Sequence, residues 1–145
     1  MIFADTSAVM KLYLEEEGSA EMREFPVLIV SAMCRVEGTS AIWKKSRLGD
    51  LDASESEQLI RRFQFDLMPE STGATNLVAL PLTGELLRTA AMLVPVHDLT
   101  ALDAIQLSSA IAAREAEPAC SSFACYDRTL ARSAAVHGFK VLCPS

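Results

Sequence analysis

Four acidic side chains stand where a folded chain can bring them together: Asp5, Glu37, Asp103 and Asp127. Asp5 closes the apolar run Ile2-Phe3-Ala4, and Asp127 closes Ser122-Phe123-Ala124-Cys125-Tyr126. Each then precedes a helical stretch. Glu37 and Asp103 fall near the starts of helices that follow a strand or loop. Four crowded carboxylates repel one another, and some would hold protons. A divalent cation removes that cost, and oxygen ligands without Cys or His suit a hard ion, Mg²⁺ or Mn²⁺. Such an ion keeps several waters and takes phosphate oxygens, so the fitting substrate is a phosphodiester or a phosphate ester. It would lower the pKa of a bound water, orient it and neutralise charge developing on the phosphate. Thr6 or Ser7, beside Asp5, could hold a metal water or a ligand carboxylate in place.

Each of these residues also has a purely structural reading. Asp5 is a good helix cap, with Thr6 and Ser7 offering cap oxygens of their own. Glu37 favours a helix N-terminus electrostatically. Asp103 pairs with Thr100 in a Thr-x-x-Asp capping signature. Asp98 stands close enough in sequence to compete for the third acidic role. His97 reads as a loop histidine and His137 as a favourable charge near a helix end. Lys44-Lys45-Ser46-Arg47 either complements a helix C-terminus or contacts phosphate. Arg61-Arg62 is a second candidate RNA contact, though a solvated helix face explains it more simply.

The elements that must position these groups follow from periodicity and punctuation. Short apolar runs at 2–4, 27–30, 77–80, 122–126 and 140–142 read as buried strands. Helices are expected over 8–16, 32–48, from a Ser54/Glu57 capping box through Phe63, from Thr83 to Pro95, over 100–116 and over 128–136. Gly18, Gly49 and Gly138 are placed to end helices in the left-handed conformation. In the helix over 32–48, Ile29, Met33, Val36 and Ser40 suggest the inward face, with Glu37 bordering it. Residues 69–76 are rich in turn formers and read as a loop. Buried strands alternating with helices specify an α/β fold, a mostly parallel sheet covered on both faces. In such a sheet, strand ends carrying Asp5 and Asp127 can share one edge with Glu37 and Asp103.

The 145 residues, half of them hydrophobic, suit one domain spanning 1–145 with a single packed core. The formal net charge of −6 argues against a general nucleic-acid binder, while leaving room for an acidic metal site with a local basic patch. No leader pattern or membrane-length apolar run is present, so cytoplasm is the expected setting. Cys34, Cys120, Cys125 and Cys143 form no Cys-x-x-Cys pair and read as reduced thiols.

Taken together, Ile-Phe-Ala-Asp5-Thr-Ser-Ala, Val36-Glu37, Leu102-Asp103-Ala104 and Cys-Tyr-Asp127-Arg-Thr-Leu-Ala followed by Gly138-Phe-Lys-Val resemble a PIN domain. The nearest kind is the VapC-type ribonuclease toxin of bacterial toxin–antitoxin pairs. The resemblance implies a PIN-like three-layer sandwich and a Mg²⁺-dependent endoribonuclease. It also implies a cognate antitoxin partner, frequent homodimers, and Asp5, Glu37, Asp103 and Asp127 as the acidic metal site, Asp5 and Asp103 foremost. Two positions depart from the pattern. Thr100 stands where many relatives carry Arg, and Gln106 where many carry His, which bears on substrate orientation and rate. Two competing readings are a PIN-like module kept for protein or RNA binding and a phosphatase with Asp5 as nucleophile. The latter chemistry wants a second acid at the place Ser7 occupies.

Overall fold

The computed structural model describes residues 1–69 and 76–142. Five strands, β1 (Ile2–Ala4), β2 (Val27–Ser31), β3 (Asn76–Leu80), β4 (Ser122–Ala124) and β5 (Lys140–Leu142), pair in the order β3-β2-β1-β4-β5, every pair parallel. Parallel strands need crossovers, and the helices supply them: α1 (Thr6–Met10), α2 (Ser19–Met22), α3 (Cys34–Arg47), α4 (Ala53–Asp66), α5 (Gly84–His97), α6 (Ala101–Ala116) and α7 (Arg128–Val136). Side chains alternate across a strand, so an unbroken apolar run feeds two cores. Ala4, Leu28, Val30 and Ala124 point into one core with Val9, Ile42 and Phe63. Phe3, Ile29 and Phe123 point into the other with Leu107, Leu130 and Phe139. The result is three layers, with α1 and α3–α4 on one face and α5–α7 on the other.

The first helix is shorter than its apolar pattern predicts. Asp5, not Thr6 or Ser7, is its N-cap, and it stops at Met10 rather than near residue 16. Beyond it the bonds tighten to three-residue spacing, Lys11 to Ala8, Leu12 to Val9 and Tyr13 to Met10, which turns Leu12, Tyr13 and Leu14 all inward. Gly18 is left-handed (φ 93) as expected, but it opens α2 rather than closing α1, and a side chain there would overlap the Tyr126 hydroxyl.

Three further expectations shift. The inward face of α3 is Cys34, Gly38 and Ile42, while Val36 is 65% exposed. Gly38 is the reason: a Cβ there would overlap the Phe63 ring, so its absence lets α3 and α4 close on each other. The capping box of α4 is Asp52 with Glu55, two residues earlier than Ser54 with Glu57; both reciprocal bonds form, at 2.8 Å and 3.3 Å. Finally, α5 does not end at Pro95 but carries it in its last turn, and stops at Asp98 in the left-handed region (φ 52). His97 is therefore helical, and its Nε2 lies 2.9 Å from Nε2 of His137. Burial, the His97 charge and Arg114 together depress the His137 pKa. Of the loop expected over 69–76, residues 70–75 lie outside the described residues, and Asn76 already belongs to β3. Cys34, Cys120 and Cys125 are buried thiols in no disulfide among the described residues, and Cys143 lies outside the described residues. No described helix is long and apolar enough to cross a membrane.

Candidate acidic site at the carboxyl edge of the sheet

The strand order reverses direction between β1 and β4, the switch point where α/β sheets open a crevice at their carboxyl ends. Asp5 follows β1 there. Its backbone N–H donates to the Ala124 carbonyl (3.1 Å), tying it to β4. Its Oδ1 accepts from the Ala8 N–H (3.0 Å) and from the Ser7 hydroxyl (2.6 Å). Ser7 Oγ in turn accepts from the Tyr126 N–H at 3.0 Å. One hydroxyl thus couples Asp5 to the loop that carries Asp127.

Asp127 caps α7, its Oδ1 accepting from the Leu130 N–H at 2.8 Å. Its own N–H donates to Cys125 Sγ (3.2 Å), and that thiol donates back to the Asp127 carbonyl (3.1 Å). Asp103 lies in the first turn of α6, and its N–H is capped by Thr100 Oγ1 at 3.2 Å. The departure at Thr100 therefore has a definite local role as helix cap. Glu37, in the first turn of α3, accepts at Oε1 from Thr6 Oγ1 (3.2 Å) and Gln106 Nε2 (2.8 Å). Every hydrogen bond to its side chain among the described residues falls on that one oxygen.

The charges show how these groups face one another. Burial is the main cause lifting the Asp5 pKa to about 6; Ser7 and Ala8 pull it back, and the Asp103 charge raises it further. Burial also raises Glu37, against hydrogen bonds from Gln106 and Thr6, and again the Asp103 charge adds to it. Asp103 is itself raised by burial and by the charge of Asp127. Asp103 is thus the common neighbour of the other three, whereas Asp98, exposed at the end of α5, is not among the charges acting on them.

The donor set is all carboxylate oxygen, with Asp5 buried and Glu37 and Asp103 partly so, the chemistry a hard divalent ion satisfies. As placed, no three His, Cys, Asp or Glu side chains among the described residues stand close enough to grip one ion. Ligation by more than two of them would need side-chain adjustment. Gln106 adds an acceptor: it is 2% exposed, and its Oε1 has no hydrogen-bond partner among the described residues. An unmet buried acceptor costs about 1–3 kcal/mol, so its place beside the acids is a feature to explain.

Gln106 is the residue that sequence reasoning undervalued, reading it only as a departure. A usable signal was present, because Asp103, Gln106 and Leu107 share one face of a helix whose inner stripe is otherwise apolar or small. Beside the acids, a mostly apolar groove of about 340 Å³ is lined by Ser7 and Tyr126 and edged by Lys11, Lys44 and Lys45. Lys11 is committed to Glu16 (3.2 Å) and to the Tyr126 ring (4.4 Å from its centre). Arg62 lies 4.0 Å from Asp66 and over Tyr13, so of the second basic pair it serves the α4 surface.

No protein-family model matches the sequence, and no curated protein matches it. Solved structures do. The VapC20 toxin of Mycobacterium tuberculosis, described as cleaving the sarcin–ricin loop, is 16% identical, with 99% of this chain and 100% of that one covered at a TM-score of 0.65. A chain of a toxin–antitoxin complex from Klebsiella pneumoniae is 14% identical, with coverage of 100% and 98% and a TM-score of 0.68. PAE2754 from Pyrobaculum aerophilum is 21% identical, with coverage of 97% and 82% and a TM-score of 0.58. At such identities the correspondence is one of backbone. Strand order, layering and end-to-end overlap together give this chain the PIN-like α/β fold of the VapC-type toxins.

Proposed function

We propose that the chain is a metal-dependent endoribonuclease, the toxin of a toxin–antitoxin pair, hydrolysing RNA phosphodiester bonds at the carboxyl edge of its sheet. The observation that carries this reading is that Asp5 and Asp127, each capping the helix after a central strand at the switch point, are linked through Ser7, with Glu37 held beside them by Thr6. The backbone match to an RNA-cleaving toxin and to a chain of a toxin–antitoxin complex supports it.

Asp5 and Asp103 would be the principal ligands of Mg²⁺ or Mn²⁺, with Glu37 and Asp127 completing the acidic set. Such an ion, when bound, supplies Lewis-acid activation of water and charge neutralisation at phosphorus. The chain's own residues divide the remaining work. Asp5 is held rigidly by Ser7 and the α1 N-terminus, so its carboxylate direction is set before substrate arrives. Glu37 has one oxygen bound and the other without a hydrogen bond among the described residues. With its raised proton affinity it is the group suited to take a proton from the attacking water. Asp127 is exposed at the start of α7. Lys44 edges the adjoining groove, next to Lys45, whose Nζ lies 3.9 Å from Asp50, and provides a local cation of the kind an RNA backbone needs in a chain of net charge −6. The partners this reading brings are RNA, a cognate antitoxin and a second copy of the chain.

The test is direct. Purified protein is incubated with structured RNA and Mg²⁺ or Mn²⁺, with and without EDTA, beside Asp5→Asn and Asp103→Asn. Internal cleavage lost with EDTA and reduced at least a hundredfold in either variant is expected. RNA left intact with every divalent ion tested, or cleavage indifferent to both substitutions, defeats the reading. Growth arrest on expression, relieved by the neighbouring gene and by Asp103→Asn, tests the toxin role separately.

A further inference from the structure

Three elements meet at a single oxygen of Glu37. Gln106 Nε2, from α6, donates to Glu37 Oε1 at 2.8 Å and lies 3.1 Å from Thr6 Oγ1, while Thr6, from α1, donates to the same Oε1 at 3.2 Å. The geometry points to Gln106 as the positioning residue of the site, the group that selects which Glu37 oxygen the protein consumes and which it leaves for chemistry. This rests on the nuclease reading above.

The argument begins with the amide itself. A carboxamide has one donating and one accepting end, and only the N–H₂ end can face a carboxylate. Contact with Glu37 therefore fixes the flip, and it follows that Gln106 Oε1 is the end left unmatched. Gln106 is 2% exposed on the buried stripe of α6, so it cannot swing to solvent to relieve that mismatch. Threonine alone would not hold Glu37: its hydroxyl makes one bond of 3.2 Å, and the amide anchors that hydroxyl too. The two donors thus act as one bracket around Oε1, leaving Oε2 without a hydrogen bond among the described residues. Because Gln106 sits three residues after Asp103 on α6, it also sets the spacing between the first turns of α3 and α6, where Glu37 and Asp103 stand. An amide does not titrate, so both N–H donors of the bracket persist at any pH, whereas a neutral imidazole at this place would keep one.

The experiment compares Gln106→Met, which keeps length and apolar bulk but removes both donors, with Gln106→His, which restores a ring N–H. Gln106→Leu serves as a second donor-free variant should the methionine fail to fold by circular dichroism. With metal-supported RNA cleavage as the readout, Gln106→Met is expected to lower kcat about 10–100-fold with KM within twofold, the range for losing a hydrogen-bonded support of a catalytic-site ligand. Gln106→His is expected to recover most of that loss. In a Glu37→Gln background, Gln106→Met should cost no more than twofold further, because its effect runs through Glu37. Without any metal or substrate, the Gln106 side-chain NH₂ resonances should move on Glu37→Gln and stay in place on Asp127→Asn. Equal losses in both backgrounds, a loss expressed in KM alone, or resonances indifferent to Glu37→Gln overturn the role. Normal wild-type cleavage with an undiminished Gln106→Met overturns the role and leaves the nuclease reading standing. Wild-type protein inert toward RNA with every ion overturns both.

Discussion

Replacing Asp5 with asparagine should make the metal-free protein more stable at neutral pH, although it destroys the proposed site. Burial lifts the folded-state pKa of Asp5 from the ordinary 3.8 to about 6. A raised carboxyl pKa means that the folded state binds its proton more tightly than the unfolded chain does. That contribution is fully present below pH 4 and is lost as the pH rises through about 6. A shift of roughly two units corresponds to about 3 kcal/mol. Asparagine keeps an oxygen for the Ala8 N–H and is as good an N-cap as aspartate, so the local bonds survive while the buried charge goes. The assay is urea unfolding in EDTA at pH 4.5 and pH 7.5. Wild-type stability should fall between these values by about 2–3 kcal/mol more than that of Asp5→Asn, or ~1 M in urea midpoint at an m-value of about 2 kcal/mol/M. Glu37 and Asp103, also raised by burial, add a decline common to both proteins. Adding Mg²⁺ at pH 7.5 should restore the wild type and leave the variant unmoved. Parallel pH profiles for the two proteins would refute the placement of a desolvated, ionisable Asp5 at the strand end.

The capping box of α4 is equally accessible to test. Asp52→Ala should cost about 1 kcal/mol in thermal or urea unfolding, whereas Ser54→Ala should be nearly neutral; the opposite order would return the cap to the later register. Gly38→Ala should destabilise by about 1–3 kcal/mol by forcing α3 from the Phe63 ring, and pairing it with Phe63→Leu should recover part of the loss in the same unfolding assay.

What was readable from residues alone divides along physical lines. The strands were legible because burial on both faces demands unbroken apolar runs, and those at 2–4, 27–30 and 140–142 differ from the observed strands by at most one residue. The four acids were legible because Asp and Glu at strand ends and helix starts are conspicuous whatever they do there. The α3 face was not. Its contact is made by Cys34, Gly38 and Ile42, and a glycine carries no hydrophobic signal even where its missing side chain is what permits the packing. The α4 cap was ambiguous because Asp52/Glu55 and Ser54/Glu57 satisfy the same spacing, and only the start of the helix chooses between them. Gln106 was hidden for a different reason. A lone amide on a helix says nothing until the elements from residues 6 and 37 arrive beside it.

The place of β1 in the sheet has a consequence for a chain emerging from a ribosome. The earliest of the five strands in sequence is the middle one, and half of its pairing, Phe3 with Phe123, waits for residues some 120 positions later. Asp5 cannot meet Asp127 until the residues through α7 have left the exit tunnel. Contacts so distant along the chain also slow the final closure. A product that stops before β4 therefore lacks the assembled acids, and whatever they do is withheld until that segment is made.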